Sequence, residues 1–135
     1  MTKIFKKPLK IGLTGGIGSG KTTVAKILHS LGTPIFNADN CSKNLLQTNQ
    51  NIIKNITKKF GKSILENNQI NINKLGKIVF SNKKKLQILN NIIHPIILKK
   101  FHEWISNQNT KYIIKESAIL FESATYKELD KIILV

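Results

Sequence analysis

The chain has 135 residues, of which 41% are hydrophobic and 21% are charged. This composition is typical of a globular domain, excludes a disordered polar chain and leaves enough residues to bury a core. No apolar run approaches the roughly 18–20 residues of a membrane span, and the basic start of the chain has no apolar segment behind it that would make it a secretory signal, so no membrane partner is expected. The single cysteine, Cys41, excludes a disulfide framework and a cysteine-rich zinc site, and it favours a reducing, cytoplasmic compartment.

The net charge is strongly positive, because 22 basic residues stand against 7 acidic ones and give +15. Such an excess is typical of proteins with polyanionic partners such as nucleic acid, phosphates or a membrane surface. All 22 basic residues are lysine, however, and lysine, asparagine and isoleucine are abundant together, as an A/T-rich coding sequence would produce. Arginine, the usual residue for bidentate reading of bases and phosphates, is absent. We therefore interpret the charge mainly as compositional drift and do not expect nucleic acid as the partner.

The first elements of the chain predict a strand, a helix and a second strand. Apolar residues alternate with Lys10 and Gly12 over Leu9–Leu13, which predicts a short strand. A glycine-rich loop follows, and after it apolar residues recur at helical spacing until Gly32 stops the helix. These residues are Val24, Ile27, Leu28 and Leu31. A second strand is predicted to begin at Ile35–Phe36 and to end near Asn37–Asp39. This order is a βαβ unit, which requires a parallel sheet with a right-handed crossover.

The rest of the chain is predicted to be helical in the middle and to end in two strands. Three apolar groups show helical spacing: Ile52, Ile53, Ile56 and Phe60; Leu75, Ile78 and Val79; and Leu86, Leu89, Ile93, Ile97, Phe101, Trp104 and Ile105. Pro95 lies within the third group, so we expect a break or a kink there. The apolar runs Tyr112–Ile114 and Lys131–Val135 predict the third and fourth strands. The predicted fold class is therefore α/β with a parallel sheet.

The glycine-rich loop, residues 15–22, fits the phosphate-binding pattern G-x-x-x-x-G-K-[ST] at every position and lies between a predicted strand and a predicted helix. Glycines let the backbone aim its N–H groups at an anion, and the start of the helix adds its positive end. The ammonium of Lys21 is expected to reach the β- and γ-phosphates, and the hydroxyl of Thr22 is expected to bind Mg²⁺. The predicted nucleotide-binding residues are Gly15, Gly16, Gly18, Ser19, Gly20, Lys21, Thr22 and Thr23.

This loop is shared by kinases, GTPases and motor ATPases. A GTPase would normally carry an N-K-x-D motif, and Asn82–Lys85 lacks the aspartate. A large ATPase would need a longer chain. The remaining interpretation is a small kinase, which requires an acidic group near the γ-phosphate to orient or deprotonate the acceptor hydroxyl.

Three segments together resemble the dephospho-coenzyme A kinase family. Residues 13–23 read LTGGIGSGKTT and are followed by VAKIL and LGTPIFNAD; Ile92–Ile97 reads IIHPII; and Ala118–Glu122 reads AILFE. They are similar to the start of the family's chains, to its His-Pro segment and to its P-L-L-F-E segment. The resemblance extends from about Lys10 to Val135. It implies a single three-layer phosphate-loop kinase domain over residues 1–135, with a helical part of about Phe60 to Trp104 that holds the acceptor.

The activity that the resemblance implies is the final step of coenzyme A synthesis. The γ-phosphoryl of ATP, with Mg²⁺, would pass to the ribose 3′-hydroxyl of the small-molecule substrate dephospho-coenzyme A. Lys21 would neutralise charge on the transferred group, and Asp39 would take or orient the acceptor proton. His94 and Glu122 would contact the acceptor.

The same residues have alternative interpretations. Asp39 follows the second predicted strand at the edge where open α/β sheets bind ligands, but an aspartate there also suits the N-cap of the next helix. His94, in an apolar helical region, suits a hydrogen-bonded structural role. Glu116, after the third strand, is either an acid acting on the waters of Mg²⁺ or a solvent-exposed carboxylate.

The chain departs from the family at identifiable places. Asn37 replaces the first acid of an aspartate-alanine-aspartate motif, and Ala118 replaces a proline. The family's chains are longer, so the resemblance implies that the last strand and an arginine-bearing lid are missing here. Two other functions therefore stay open. One is another small-molecule or nucleotide kinase with the same loop, and the other is a truncated, non-catalytic remnant that binds phosphates or nucleic acid through its lysines.

Overall fold

The computed structural model describes residues 7–16, 18–118 and 125–135. They belong to two compact units, of which the first comprises Met1–Asp39 with Lys100–Val135 and the second Asn40–Lys99. In the described ranges, none of the helices combines the length and the apolar character needed to cross a membrane.

The elements in chain order are β1 (Leu9–Thr14), α1 (Lys21–Ser30), β2 (Ile35–Asn37), α2 (Ala38–Thr48), α3 (Gln50–Phe60), a 3₁₀ turn (Lys62–Ile64), β3 (Leu65–Glu66), β4 (Gln69–Ile70), α4 (Ile72–Phe80), α5 (Lys83–Ser106), β5 (Tyr112–Glu116), a second 3₁₀ turn (Thr125–Glu128) and β6 (Lys131–Leu134). The four strands and the helix predicted in the first unit are thereby confirmed, with ends that differ by one or two residues. The second strand ends at Asn37, within the predicted range, and α2 begins directly after it at Ala38.

The first unit is built on a four-stranded sheet in the order β2-β5-β1-β6, with every pair parallel. This confirms the predicted α/β class. The chain leaves β1, passes through α1 and enters β2 on the far side of β5, as a crossover connection requires. Glu116 at the end of β5 is paired with Leu13 on one side and with Asn37 on the other. The carboxyl ends of β1, β2 and β5 therefore meet at one edge of the sheet.

Helices cover both faces of this sheet. On one face, α1 packs its buried Ala25 against Leu13 and Ile114, which are 0% and 1% exposed. Successive side chains of a strand alternate between faces, and Phe36 points to the opposite face, where its ring lies 5.2 Å from that of Phe101 and 5.5 Å from that of Trp104. Phe101 is fully buried and is therefore a core aromatic. The sheet is thus the middle layer between α1 and the last turns of α5.

The second unit begins before the predicted helical segment and contains a feature that periodicity did not predict. The strands β3 and β4 form an antiparallel hairpin across Asn67 and Asn68, whose φ angles are 53° and 62°. Asparagine tolerates this left-handed conformation better than most residues, and a two-residue hairpin turn requires it. The helical prediction for the middle of the chain did not include this hairpin, because strands of two residues are too short to show alternation.

Pro95 does not break the third predicted helix, since α5 runs from Lys83 to Ser106 with the proline inside it. The predicted break was wrong. Leu89, Ile93 and Ile97 are each at most 8% exposed and lie at helical spacing on both sides of the proline. Burial of this apolar stripe offsets the backbone hydrogen bond that proline removes.

Candidate active site

The glycine-rich loop occupies the gap between β1 and α1. Gly18 and Gly20 have φ angles of +76° and +95°, in the region that only glycine enters without strain. The N–H of Ser19 donates a hydrogen bond of 3.1 Å to the carbonyl of Gly16. A Cβ atom on Gly15 would lie 2.6 Å from Oγ of Ser19 and 2.8 Å from the carbonyl oxygen of Val135, so no side chain fits there. The left-handed backbone at Gly18 and Gly20 and the lack of space at Gly15 therefore explain why glycine occupies these positions.

The start of α1 is arranged as an anion site. Gly20 caps the helix and has no side chain to accept the first N–H groups, and the first turn contains no acidic residue. Those amides point towards the loop and carry the positive end of the helix dipole. Open space lies above Gly16 and Gly18, where an added Cβ would meet no described atom within 4 Å. A phosphate chain fits this cradle because it can accept the amide N–H groups at close range.

Lys21 and Asp39 meet at the same edge of the sheet. Nζ of Lys21 lies 3.9 Å from Oδ2 of Asp39, and the two side chains are 15% and 39% exposed. The first residue of α1 supplies the lysine and the first turn of α2 supplies the aspartate. The topology therefore brings the predicted phosphate-binding cation and the predicted acid together at the ligand-binding edge of an open α/β sheet.

The carboxylate of Asp39 is held by a backbone donor from β5. The N–H of Ala118, two residues beyond the end of that strand, donates a hydrogen bond of 3.1 Å to Oδ2 of Asp39. Asp39 is the second residue of α2 and its carboxylate accepts from this distant strand end, so the N-cap interpretation does not describe it. The contact joins the start of α2, which follows β2, to the chain just beyond the neighbouring strand β5.

Glu116 is a buried acid next to this pair. It is 7% exposed, and its Oε2 accepts a hydrogen bond of 3.3 Å from Nδ2 of Asn37. The interpretation of Glu116 as a solvent-exposed carboxylate was therefore wrong. Asn37, which stands where the family has an acid, donates to this carboxylate, whereas an aspartate there would repel it.

A cavity of about 330 Å³ opens beside α1, and Thr22, Asn37 and Glu116 line it together. Magnesium prefers oxygen ligands and is usually held by one or two protein groups together with phosphate oxygens. A hydroxyl from the start of α1 and a carboxylate from the end of β5 are such a donor set, so the residues present fit Mg²⁺. Lys26 and His29 also line this cavity.

The other predicted site residues have different places. Thr23 is exposed in the first turn of α1. His94 is half-buried in α5, within the second unit. Glu122 lies outside the described residues. The structure thus brings the loop, Lys21, Thr22 and Asp39 together, whereas the predicted acceptor contacts of His94 and Glu122 stay predictions.

Sequence reasoning missed the donor at Ala118. A backbone N–H has no signature in the side-chain pattern, and the only local signal is an alanine where the family's segment has a proline, which has no N–H to donate. The contact spans 79 positions of the chain, so only the paired strands reveal it.

The comparisons with known proteins agree on one family. The sequence model described as dephospho-CoA kinase matches residues 9–135. The chain is similar to a dephospho-CoA kinase of Chlorobium chlorochromatii, with 39% identity over 96% of this chain and 65% of the relative. It is also similar to a dephospho-CoA kinase of Carboxydothermus hydrogenoformans, with 41% identity over 93% of this chain and 63% of the relative. The chain therefore spans somewhat less than two thirds of the length of these curated relatives.

Solved structures give the same result for the fold. The crystal structure of TT1252 from Thermus thermophilus superposes with a TM-score of 0.83 at 28% identity, over 96% of this chain and 66% of that one. The dephospho-CoA kinase from Campylobacter jejuni superposes with a TM-score of 0.70 at 32% identity, over 93% and 64%. On the match over residues 9–135 and on these relatives, the chain belongs to the dephospho-CoA kinase family.

Proposed function

We propose that this chain transfers the γ-phosphoryl group of ATP to the ribose 3′-hydroxyl of dephospho-coenzyme A, the final step of coenzyme A biosynthesis. Membership of the family supports this proposal. The observation that carries it is the separation of 3.9 Å between Nζ of Lys21 and Oδ2 of Asp39, at the edge of the sheet where the glycine-rich loop begins. A phosphoryl-transfer site needs a cation for the phosphates and an acid for the acceptor within reach of one another.

The glycine-rich loop would bind the triphosphate. The backbone N–H groups of residues 18–21 would donate to its oxygens, since the start of α1 has no side-chain cap that competes for them. The ammonium of Lys21 would neutralise the charge that develops on the transferred group. The amide donors are fixed by the backbone, so they need little reorganisation when the charge develops.

Thr22 and Glu116 are the residues that would hold Mg²⁺. The hydroxyl of Thr22 and the carboxylate of Glu116 line one cavity, and the amide of Asn37 orients that carboxylate. An ion held by these two residues would neutralise negative charge on the phosphates. Asn37 would act through Glu116, since its amide nitrogen donates to that carboxylate.

Asp39 would orient the acceptor hydroxyl and accept its proton. The acceptor oxygen forms the new bond to the γ-phosphorus while the bond to the β,γ-bridging oxygen breaks, and ADP leaves on the opposite side. The released proton passes to the carboxylate of Asp39 and then to solvent, so charge and protons balance. Because Asp39 is 39% exposed, that exchange with solvent has a direct route.

The decisive experiment is an acceptor panel with the 135-residue chain, ATP and Mg²⁺. We expect dephospho-coenzyme A to give coenzyme A, identified by mass, and nucleosides and nucleoside monophosphates to give no phosphorylated product. Lys21→Ala should abolish turnover and weaken ATP binding, whereas the matched control Lys111→Ala, an exposed lysine before β5, should not. Phosphorylation of a nucleotide in place of dephospho-coenzyme A would refute the proposed acceptor.

A second experiment addresses the alternative of a non-catalytic polyanion binder. That alternative draws support only from the charge of +15. It requires salt-sensitive binding to random duplex DNA that Lys21→Ala leaves unchanged. We expect nucleotide binding that depends on Lys21 instead.

The proposal extends to the compartment and the acceptor contacts. A cytoplasmic location suits a chain with one cysteine, Cys41. We also retain His94 and Glu122 as proposed contacts of the acceptor, on the resemblance alone.

A further inference from the structure

A lysine is buried in the sheet of the first unit, and the proposed mechanism does not use it. The side chain of Lys115 in β5 is only 3% exposed. Its Nζ lies 2.7 Å from Oε1 of Glu128 and 4.7 Å from the centre of the Phe101 ring. Lys115 precedes Glu116 in the strand, so the two side chains point to opposite faces of the sheet.

Packing alone does not require charged groups at these positions. Removing a cation from water is costly, and a buried ion pair recovers that cost only with good geometry. Two apolar side chains of similar volume commonly stabilise a fold equally well. An ion pair instead fixes the distance between two defined atoms, since it is directional where apolar contact is not. The second oxygen of Glu128, Oε2, lies 3.8 Å from Nε2 of the exposed His102.

The pair connects the two flanks of the segment that follows β5. Lys115 is in the strand, and Glu128 ends the 3₁₀ turn Thr125–Glu128 on the other flank. Between them, the N–H of Ser117 donates to the carbonyl of Leu13 at 3.0 Å. The N–H of Ala118 then donates to Oδ2 of Asp39 at 3.1 Å. The Ala118 donor is therefore three residues from the Lys115 anchor.

We infer that the Lys115–Glu128 ion pair is a positioning device for Asp39. It holds the backbone beyond β5 so that the Ala118 N–H stays on Oδ2 of Asp39 and leaves the other oxygen to face the acceptor hydroxyl. Lys115 and Glu128 touch no reacting atom and act through Ala118. The consequence for catalysis rests on the proposed function, but the contact between Ala118 and Asp39 does not.

The first test measures that contact directly. In the full chain labelled with ¹⁵N, the variant Lys115→Met/Glu128→Leu replaces both charges by apolar groups and leaves no unpaired ion. We expect the Ala118 amide to exchange with solvent at least about tenfold faster, because its acceptor is no longer held. The Ile114 amide, which donates to the carbonyl of Pro34 at 3.0 Å within the sheet, should keep its protection. Unchanged protection at Ala118 would overturn the inference.

The second test separates positioning from stability. The same double variant should keep the KM for ATP within about twofold, because the loop amides and Lys21 are untouched, while kcat falls about tenfold. Its melting temperature should stay near that of the unaltered chain. A double variant with unaltered kcat would show that the pair has only a structural role.

Two single variants at Ala118 test the positioning role of its N–H even if the double variant does not fold. Ala118→Pro removes the N–H, and Ala118→Gly keeps it. The family's segment has a proline at this position, so these variants test whether this chain depends on a donor that the family lacks. We expect the proline variant to lose about tenfold in kcat and the glycine variant to lose little. Equal kcat in both would refute the role of this donor.

The outcomes also distinguish this inference from the proposed function. If the unaltered chain phosphorylates no dephospho-coenzyme A, the proposed function fails, and the amide exchange of Ala118 still decides whether the ion pair holds Asp39. If the chain is active and the exchange does not change, the proposed function stands and the positioning role fails.

Discussion

Replacing Asp39 by asparagine preserves the shape of the side chain and removes its charge and its ability to accept a proton. The oxygen of asparagine can still accept from the N–H of Ala118, which lies 3.1 Å from the present carboxylate. The position that faces the acceptor would then carry an NH₂ group, which donates and cannot take the hydroxyl proton. The fold and the loop are expected to be unaffected, so the change isolates the proton-transfer role.

The magnitude follows from two separate effects. Loss of general-base catalysis typically costs about 10²–10⁴-fold, so we expect kcat to fall by about 10²-fold or more, which is at least about 2.7 kcal/mol of activation free energy. The effect on ATP binding is small and of opposite sign. Two unit charges about 4 Å apart interact by about 1 kcal/mol in water, and Asp39 is 39% exposed. Losing its repulsion on the phosphates should therefore tighten ATP binding by about fivefold.

The assay pairs initial rates at saturating dephospho-coenzyme A, followed by coupled ADP detection, with titration of a fluorescent ATP analogue. Asp130→Asn is the matched control, because its carboxylate accepts a 2.8 Å hydrogen bond from the N–H of Lys10 at the amino end of the strands. It should leave kcat unaltered. Normal turnover by Asp39→Asn would refute the assignment of Asp39 as the base.

Three other predictions concern the loop, the metal and the core. Thr22→Ala should raise the Mg²⁺ concentration needed for half-maximal rate by about tenfold. The melting temperature should not change, since Thr22 is exposed. An unchanged Mg²⁺ titration would contradict the assignment of Thr22 as a Mg²⁺ ligand. Gly15→Ala should lower the free energy of unfolding in urea by about 1–3 kcal/mol, because its Cβ would lie 2.8 Å from the backbone carbonyl oxygen of Val135. Equal midpoints would show that the loop shifts without cost. Phe101→Ala should cost about 3–5 kcal/mol of unfolding free energy because the ring is fully buried. Phe80→Ala, at a ring that is 80% exposed, should change it by less than about 0.5 kcal/mol.

Some features of the fold could be predicted from the sequence because local chemistry determines them. The glycines of residues 15–20 take conformations that a side chain would strain, so the motif predicts the loop directly. The alternation over Leu9–Leu13 and the helical spacing from Val24 to Leu31 predict β1 and α1, since each pattern matches the period of one element. Their order then implies a crossover and a parallel sheet.

Local rules failed where tertiary burial outweighed them. Proline favours a helix end, but α5 continues through Pro95 because Ile93 and Ile97 on either side are buried. The hairpin at Asn67–Asn68 was not predicted, because each of its strands is only two residues long. Periodicity needs several repeats before it distinguishes a strand from a loop.

The amino-acid sequence by itself determined the phosphate-binding loop, the α/β class and the likeness to one kinase family, because those depend on residues that are neighbours in the chain. Only the tertiary structure decided which groups surround Asp39. Its partner Ala118 is 79 positions away and donates through the backbone, and the burial of Glu116 and Lys115 follows from strand pairing. Contacts of that kind depend on which strands are paired in the sheet, and local sequence patterns do not specify that pairing.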